Sequence, residues 1–435
     1  MSISFYRERE FKDTEIGRIP KDWEVVRLGN ICKFKRGFSY RSNQITNDQT
    51  PLRFITINDI EKEGGIKRNA ERIYIKDPSE VNAEFLVNNG DVLIANTDMT
   101  KGLIIGAPIL IKNLGEKCTY SMDLTRLIFD KTKIYGDFLF YYLMHPQIRH
   151  KMKSSAQGTN VLHLNHELIS DFLIPIQSVT EQQKIAEILS TVDEAIQKTN
   201  EIIAKTERLK KGLMQELLTK GIGHKEYKQT QIGTIPKEWE VAKLKDIVEI
   251  NKESRDPSKE MPDKTFLYVD IDSVDGGTGK IRNPKRILGK EAPSRARRVI
   301  HENDIIMSTV RPYLRAFAIV PRELDNQICS TGFAVLSCRS NIVPYFLLNV
   351  LFSDKTINQC NRMMMGGQYP ALNQSQVSEI MIPLPSLHEQ KRIADIFLSI
   401  DKKLELEKNE KKSRLERIKQ GLMDLLLTGK IRVKL

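Results

Sequence analysis

Two long stretches of the chain place apolar residues at alternating spacings of three and four positions, which is the pattern of a paired helix. The first begins near Thr180 and stops at Gly221, and the second begins near Leu387. Thr199 and Thr206 put polar groups at inner positions of the first stretch. The predicted seam residues are Ile185, Ile188, Val192, Ile202, Leu209 and Leu213 in the first helix and Ile393, Ile396, Ile400, Leu415, Ile418 and Leu422 in the second.

Each predicted helix is too long to bury its seam within one small domain. A helix of roughly 39 residues is about 58 Å long, whereas a small domain is about 30 Å wide. We therefore expect the two helices to pair with each other, although each could instead pack on its own domain. Matching segments at the two helix ends show that the second helix has gained one residue, and the charged stretch 405–413 is the expected place.

The regions before each helix contain short apolar runs separated by Gly, Asn and Asp, which predicts strands. A single helix is predicted at "YGDFLFYYLMHPQIRHKMKSS", and the second region repeats this order. The predicted fold class is α+β, with two globular domains and two long helices. The predicted boundaries are 1–178 and 223–386 for the domains and 179–222 and 387–435 for the helices.

The two regions are copies of one ancestral domain. "IGRIPKDWEV" from Ile16 matches "IGTIPKEWEV" from Ile232, and the two tryptophans, Trp23 and Trp239, stand at matching places. The offset between the copies drifts slowly along the chain, which indicates a duplication with small insertions and deletions. Because these tryptophans are shared by both copies, we expect them to anchor the domain core.

Charge and composition favour a polyanionic partner. The chain has 435 residues, and its 68 Lys and Arg against 56 Asp and Glu give a net charge of +12. Release of counterions drives the binding of such surfaces to nucleic acid. No apolar run of membrane-spanning length occurs. The five cysteines form no CxxC pair, so we expect reduced thiols and a cytoplasmic protein without a membrane partner.

We find no catalytic motif in the sequence. "VDGGTGKI" at 274–281 lacks the spacing and the Ser or Thr of a phosphate-binding loop, so a Gly-rich hairpin turn is expected there. His163 and His166 lack further metal ligands nearby, which favours a structural role. We therefore expect a non-enzymatic chain that holds no cofactor or metal. The alternatives are a nucleic-acid-modifying enzyme with an unrecognised site and a coiled-coil assembly scaffold unrelated to DNA.

The organisation of the chain resembles the specificity subunit of type I restriction-modification enzymes. The resemblance rests on "IPKDWEVVRL" and "IPKEWEVAKL" (Ile19–Leu28 and Ile235–Leu244), on the paired segments Ile174–Ala186 and Ile382–Ala394, and on the two "GLM" helix ends. It implies two target-recognition domains that each read half of a split sequence in double-stranded DNA. It also implies spacer helices that pair as an antiparallel coiled coil.

The same resemblance implies the partner subunits. Methyltransferase subunits, normally two, would carry S-adenosylmethionine, and restriction subunits would use ATP and Mg. Specificity is expected where the two copies differ, in loops whose Arg, Lys, Gln and Asn side chains can contact bases or phosphates. The predicted DNA-binding residues are Lys35, Arg36, Tyr40, Arg41, Thr97, Lys101, Gln157, Thr159 and Asn160 in the first domain and Arg255, Arg311, Tyr313, Arg315, Gln368 and Tyr369 in the second.

Overall fold

The structure is a computed structural model that describes residues 4–62, 64–67, 70–99, 102–112, 114–364 and 370–434. The chain packs as two compact units: Met1–Thr199 with Lys411–Leu435, and Asn200–Glu410. One continuous helix, Val179–Lys220, which we call the central helix, passes from the first unit into the second. The predicted boundaries at 178, 222 and 386 separate successive segments of the sequence, whereas each compact unit combines parts of several segments. These boundaries stay a prediction.

Short, mostly antiparallel strands build the globular part of the first unit, as the apolar runs predicted. One four-stranded sheet has the order Pro108–Leu110, Val92–Ala95, Leu124–Phe129, Cys32–Arg36. A five-stranded sheet has the order Ile45–Thr46, Ile73–Ile75, Leu52–Ile55, Lys117–Tyr120, Leu86–Val87. A three-stranded sheet consists of Thr97–Asp98, Leu162–Leu164 and Ala156–Gln157, and Glu24–Arg27 pairs with Leu173–Ile176, Phe11–Thr14 with Gly17–Pro20, and Phe5–Arg7 with Ile431–Val433. The short helices are Leu28–Ile31 and His166–Ser170.

The second unit repeats much of this arrangement. Its two four-stranded sheets are Val248–Ile250, Phe333–Cys338, Ile305–Ser308, Phe317–Ile319 and Lys285–Leu288, Thr265–Val269, Gln327–Ser330, Ala296–Ile300. Tyr227–Thr230 pairs with Gly233–Pro236, Glu240–Lys243 with Met381–Leu384, and Val274–Asp275 with Lys280–Ile281. Its helices are Leu244–Ile247, Pro257–Glu260, Pro344–Phe352, Asp354–Met363, Gln374–Ser378 and Leu387–Glu405. The hairpin at 274–281 is confirmed, as is the burial of Trp23 and Trp239.

The single helix predicted after residue 134 is wrong, because the structure has two. Gly136–Met144 ends at His145, and Pro146–Ser154 follows directly. Proline has no N–H to donate to the preceding turn, and it forces the residue before it out of the helical conformation. His145 accordingly has φ −57° and ψ 131°.

In the first unit the central helix pairs with the last helix of the chain, Ser413–Leu426. Ile185 and Leu189 share one hydrophobic core with Met423 and Leu426. Further along the central helix, Asp193 lies 2.7 Å from the Nζ atom of Lys419. Positions that rise along one helix fall along the other, so the pairing is antiparallel, as predicted.

In the second unit the central helix pairs with Leu387–Glu405 and the residues that follow it. Glu207 binds Lys408 at 2.6 Å, and Lys210 binds Asp401 at 2.6 Å. These helices also run antiparallel. None of the helices in the described part of the chain has the length and apolar character needed to cross a membrane.

Part of the predicted seam is wrong by one residue. Leu209 is 56% exposed and Ile418 is 42% exposed, although both were predicted to face the partner helix. The next residues, Lys210 and Lys419, have side chains only 16% and 18% exposed. The central helix therefore buries Ile203 more deeply than the predicted Ile202. A lysine at an inner position becomes favourable only because an aspartate on the facing helix neutralises it.

Two equivalent clusters link the helices to the globular parts. In the second unit, Asp401 accepts from Lys210 Nζ at 2.6 Å and from the Tyr345 hydroxyl at 2.6 Å. In the first, Asp193 binds Lys419 at 2.7 Å and accepts from the Tyr141 hydroxyl at 2.9 Å. Burial and the adjacent carboxylate raise the pKa of both tyrosines, so each hydroxyl stays a donor. We call these the Lys–Asp–Tyr clusters.

A π-helical segment, Leu406–Lys412, interrupts the second long helix. It lies within the stretch 405–413, where the sequence comparison placed one extra residue. A π-helical turn holds one residue more than an α-helical turn, so an insertion is commonly absorbed in this way. The segment therefore keeps the buried faces before and after it on the sides where they pack.

Deleting Asn409 should convert this segment to α-helix with little loss of stability, because it removes the residue that the π-helical turn absorbs. Deleting Lys198 from the regular central helix is the matched control. It rotates all following residues by about 100° and moves the seam out of place. Thermal unfolding should show a large drop in melting temperature for the control only. Equal drops in melting temperature for the two deletions would contradict this account of the segment.

The two ends of the chain meet in the first unit. Phe5–Arg7 pairs antiparallel with Ile431–Val433. Between them, Arg432 binds Glu8 at 3.0 Å, Asp22 at 2.7 Å and Glu181 at 2.7 Å. Glu181 lies in the first turn of the central helix, so Arg432 fixes both termini to the start of that helix.

Candidate nucleic-acid interface

In the first unit, the three-stranded sheet brings two of the predicted loops together. His163 lies opposite Thr97 on one side and opposite Gln157 on the other. His163 and Gln157 are exposed, as are Thr159 and Asn160 in the turn that follows Gln157. Thr97 is buried and donates its Oγ1 hydrogen to Asp123 Oδ1 at 2.9 Å, so its side chain supports the surface from below.

Arg36 is connected to this surface by hydrogen bonds through Asn96 to His166. The Asn96 amide lies 2.6 Å from His166 Nε2 and 2.9 Å from Arg36 Nη2. A guanidinium only donates hydrogen bonds, so the amide oxygen must face Arg36 and the amide nitrogen must face His166. Arg36, Asn96 and His166 line one cavity of about 480 Å³, together with His163, Leu164, Asn165 and Glu167.

Other residues predicted for DNA binding in the first domain are engaged elsewhere. Lys35 binds Glu84 at 2.5 Å and lies over the Phe85 ring. Tyr40 packs edge-on against Phe54, with ring centroids 4.8 Å apart, and burial raises its pKa. Arg41 is exposed. Lys101 lies outside the described residues.

In the second unit, the equivalent surface is built around a strained loop. Val310 forms a bridge with Ala371, and the Arg311 N–H donates to the Pro370 carbonyl at 3.0 Å. Arg311 and Arg315 have φ of 48° and 55°, a region that non-glycine residues seldom adopt and that is common at functional sites. Between them, Tyr313 and Leu314 are exposed.

The remaining predicted residues of the second domain have mixed outcomes. The guanidinium of Arg255 donates to Glu253 at 2.8 Å, and Arg315 forms an ion pair with Asp354. Both arginines are therefore partly neutralised within the chain. Gln368 and Tyr369 lie outside the described residues. Which of the predicted residues contact DNA stays a prediction.

Equivalent positions in the two units share a scaffold and differ at the surface. Asn165 caps the helix His166–Ser170, and Asn373 caps the helix Gln374–Ser378 in the same way. Gln374 thus replaces His166, and it accepts from Asn251 at 3.0 Å. The exposed His163 corresponds to the exposed Ala371. The sequence comparison missed Asn96, His163 and His166 as a group because only the fold brings them beside Arg36.

Among the described residues, no group of three or more His, Cys, Asp or Glu side chains could hold a metal ion. His166 stacks on Phe34, with centroids 5.5 Å apart, and its Nε2 lies 3.2 Å from Thr125 Oγ1. Burial, and then the charge of Arg36, lower the pKa of His166. A neutral His166 can accept the Asn96 hydrogen bond.

His166 should make the first unit less stable at acidic pH. A histidine whose folded pKa is lowered is protonated first in the unfolded chain, so its contribution is present above about pH 6.5 and is lost as the pH falls. His166→Gln introduces the residue that the second unit has at this position. In this variant the urea midpoint of unfolding should change less between pH 7 and pH 5 than in the wild type. His150→Gln, at an exposed histidine, is the control. Parallel curves for wild type and His166→Gln would contradict this prediction.

Known proteins are similar to this chain in both sequence and fold. The family described as "Type I restriction modification DNA specificity domain" matches residues 20–208 and 236–417. The type I restriction enzyme MjaVIII specificity subunit of Methanocaldococcus jannaschii is 30% identical, over 99% of this chain and 98% of the relative. The putative MjaX specificity subunit of the same organism is 31% identical over 99% of both chains.

The fold is also similar to that of a solved structure. The crystal structure of a type I restriction-modification S subunit from M. genitalium superposes with a TM-score of 0.58 at 17% identity. The similarity covers 93% of this chain and 96% of that one. The family match spans both copies of the duplicated domain and most of the two long helices, so this chain belongs to the family of type I restriction-modification specificity subunits.

Proposed function

We propose that the chain binds double-stranded DNA and reads an asymmetric target of two half-sites, one for each recognition domain. One observation carries the proposal: equivalent strands hold the same residues inside and different residues outside. Leu164 and Leu372 are identical and buried, whereas the neighbouring His163 and Ala371 are exposed and differ. Two domains with one scaffold and different surfaces suit two different half-sites.

The charge of the chain supports DNA as the partner. The net charge is +12. Exposed cations such as Arg36 and Arg41 lie in the first recognition domain, and the exposed Tyr313 lies in the second. Phosphate contacts by such cations supply affinity, and base-edge contacts supply the sequence preference.

The paired helices act as a spacer that fixes the gap between the half-sites. The central helix has 42 residues and is therefore about 63 Å long. Half-sites on one side of B-DNA lie about 34–36 Å apart, or one helical turn. A stiff helix pair of this length is long enough to span such a separation.

The helices also hold the partner subunits, which we propose are two methyltransferase subunits and restriction subunits. Leu209 and Leu406 in the second unit and Ile418 in the first present exposed apolar side chains on helix surfaces. Such side chains are suitable contacts for a partner protein. The partners carry S-adenosylmethionine, ATP and Mg, and this chain supplies specificity in the cytoplasm without catalysis of its own.

Co-expression with the cognate methyltransferase subunit, followed by genome-wide mapping of methyladenine, tests the proposal. We expect a two-part motif with a fixed gap and different half-sites. A continuous palindrome would overturn the proposal. The chain alone should methylate nothing, and its DNA binding in gel shifts should weaken steeply with salt. Binding without salt dependence would favour a scaffold unrelated to DNA, and methylation by the chain alone would favour an enzyme.

A further inference from the structure

Arg36 is held in a fixed orientation by neighbours that leave part of its guanidinium unoccupied. Asn96 accepts from Arg36 Nε at 3.2 Å and from Nη2 at 2.9 Å. Asn96 is itself buried and is bound to His166 at 2.6 Å. An arginine has five N–H donors, so the two bonds to Asn96 leave three for another acceptor. Arg36 itself borders the cavity of about 480 Å³.

The same cavity contains one acidic side chain, the exposed Glu167. A carboxylate beside the arginine disfavours a phosphate, because both groups are anions. An arginine beside a carboxylate suits a base pair that offers acceptors on one base and a donor on the other. In the major groove, guanine presents O6 and N7 as acceptors for arginine, and cytosine presents its N4 amino group as a donor for a carboxylate.

We propose that Arg36 and Glu167 form a reading site for one G·C base pair in the half-site of the first recognition domain, with Asn96 and His166 as positioning residues for Arg36. This inference rests on the proposed function and adds a base assignment to it. Arg36 contacts guanine O6 and N7 in the major groove. Glu167 accepts from the amino group of the paired cytosine.

The second recognition domain lacks this site, so only the first domain would read a G·C base pair in this way. There, Asn251 donates to Gln374 at 3.0 Å and accepts from the Val335 N–H at 3.0 Å. Gln374 replaces His166 after the equivalent asparagine cap, and Ser375 follows it in place of Glu167. The strand register places Lys252 at the position of Arg36, and its Nζ lies 3.3 Å from Glu249. A planar guanidinium held by an amide and a histidine is therefore replaced there by an ion-paired lysine.

The first test compares methylation motifs of variants co-expressed with the methyltransferase subunit. Arg36→Gln should lose the requirement for one guanine in one half-site, and the other half-site and the gap should stay unchanged. Arg36→Lys keeps the charge but not the planar fork, so it should also relax that position. His166→Gln should keep the motif and weaken binding, since it changes only how Arg36 is held.

A second test takes its main readout from the wild-type complex, so that readout does not depend on the folding of a variant. Purified wild-type complex is titrated with its target duplex, in which each guanine of the first half-site is replaced in turn by 7-deazaguanine, which lacks N7. Binding should fall roughly 10-fold at one position. The Arg36→Gln complex should be insensitive to the same replacement.

Three outcomes overturn the inference. An unchanged two-part motif for Arg36→Gln removes Arg36 as a base reader and leaves the proposed function standing. Equal weakening on all sequences with an intact motif makes Arg36 a phosphate contact. A wild-type motif that is not in two parts overturns the proposed function itself and this inference with it.

Discussion

Replacing Asp401 with alanine is expected to lower the free energy of unfolding of the second unit by about 3 kcal/mol. The change removes the partner of two groups at once. Lys210 loses its ion pair at 2.6 Å, and Tyr345 loses the acceptor for its hydroxyl at 2.6 Å. An unpaired charge at a mostly buried position costs several kcal/mol, and an unsatisfied hydroxyl adds to that cost. Urea unfolding, followed by circular dichroism, measures the effect.

Glu207→Ala is the matched control for this prediction. It removes the Glu207–Lys408 pair between the same two helices, where both side chains are about half exposed. Exposed pairs contribute less than about 1 kcal/mol. The double change Lys210→Met with Asp401→Leu should recover much of the loss, because an apolar pair leaves no buried charge. Losses of similar size for Asp401→Ala and Glu207→Ala would contradict the role of this cluster.

Lengthening both helices by one turn should change the gap in the DNA target and leave both half-sites alone. We would insert four residues after Thr199 and four after Glu410, where the chain passes from one unit to the other. Four helical residues add about 6 Å, and a base pair rises about 3.4 Å, so the gap should grow by roughly one to two base pairs. Methylation at the original gap should be lost.

A loop insertion separates this effect from general damage. The same four residues placed after Asp263, in an exposed loop of the second domain, should leave the gap unchanged. Methyladenine mapping with the co-expressed methyltransferase subunit measures both variants. An unchanged gap after the helix insertion would refute the spacer role of the helices.

The sequence was sufficient to predict the architecture because its signals are local and repeated. The duplicated segments, the strand runs and the helical periodicity each depend on residues that lie near one another in the chain. The stretch that holds the π-helical turn was also predictable, since one extra residue between matching helix ends must be absorbed somewhere. Pro146 is a residue that commonly breaks a helix, but the apolar pattern around it favoured one continuous helix.

The errors arose where a distant partner decides the outcome. Leu209 and Ile418 look like better seam residues than Lys210 and Lys419. The lysines face inward only because Asp401 and Asp193 meet them from the other helix. Periodicity of apolar residues cannot reveal a charge that is neutralised across an interface.

The sequence predicts the candidate interface as a set of loops, and this stays a prediction; the contacts of the individual residues could not be predicted. Arg36 and Lys35 are neighbours of the same type, yet Glu84 neutralises Lys35 while Asn96 orients Arg36. These partners are 49 and 60 positions away in the sequence, so only the packed sheets show which cation is available.

The pairing of Phe5–Arg7 with Ile431–Val433 has a consequence for biosynthesis. The second unit is one continuous piece of sequence, Asn200–Glu410, whereas the first needs residues from both ends of the chain. Domains fold as units as they emerge from the ribosome. The second unit can therefore be complete before residues 431–433 are synthesised, and the first closes only when Arg432 arrives and binds Glu8, Asp22 and Glu181. A chain without residues 431–433 thus lacks a finished first unit.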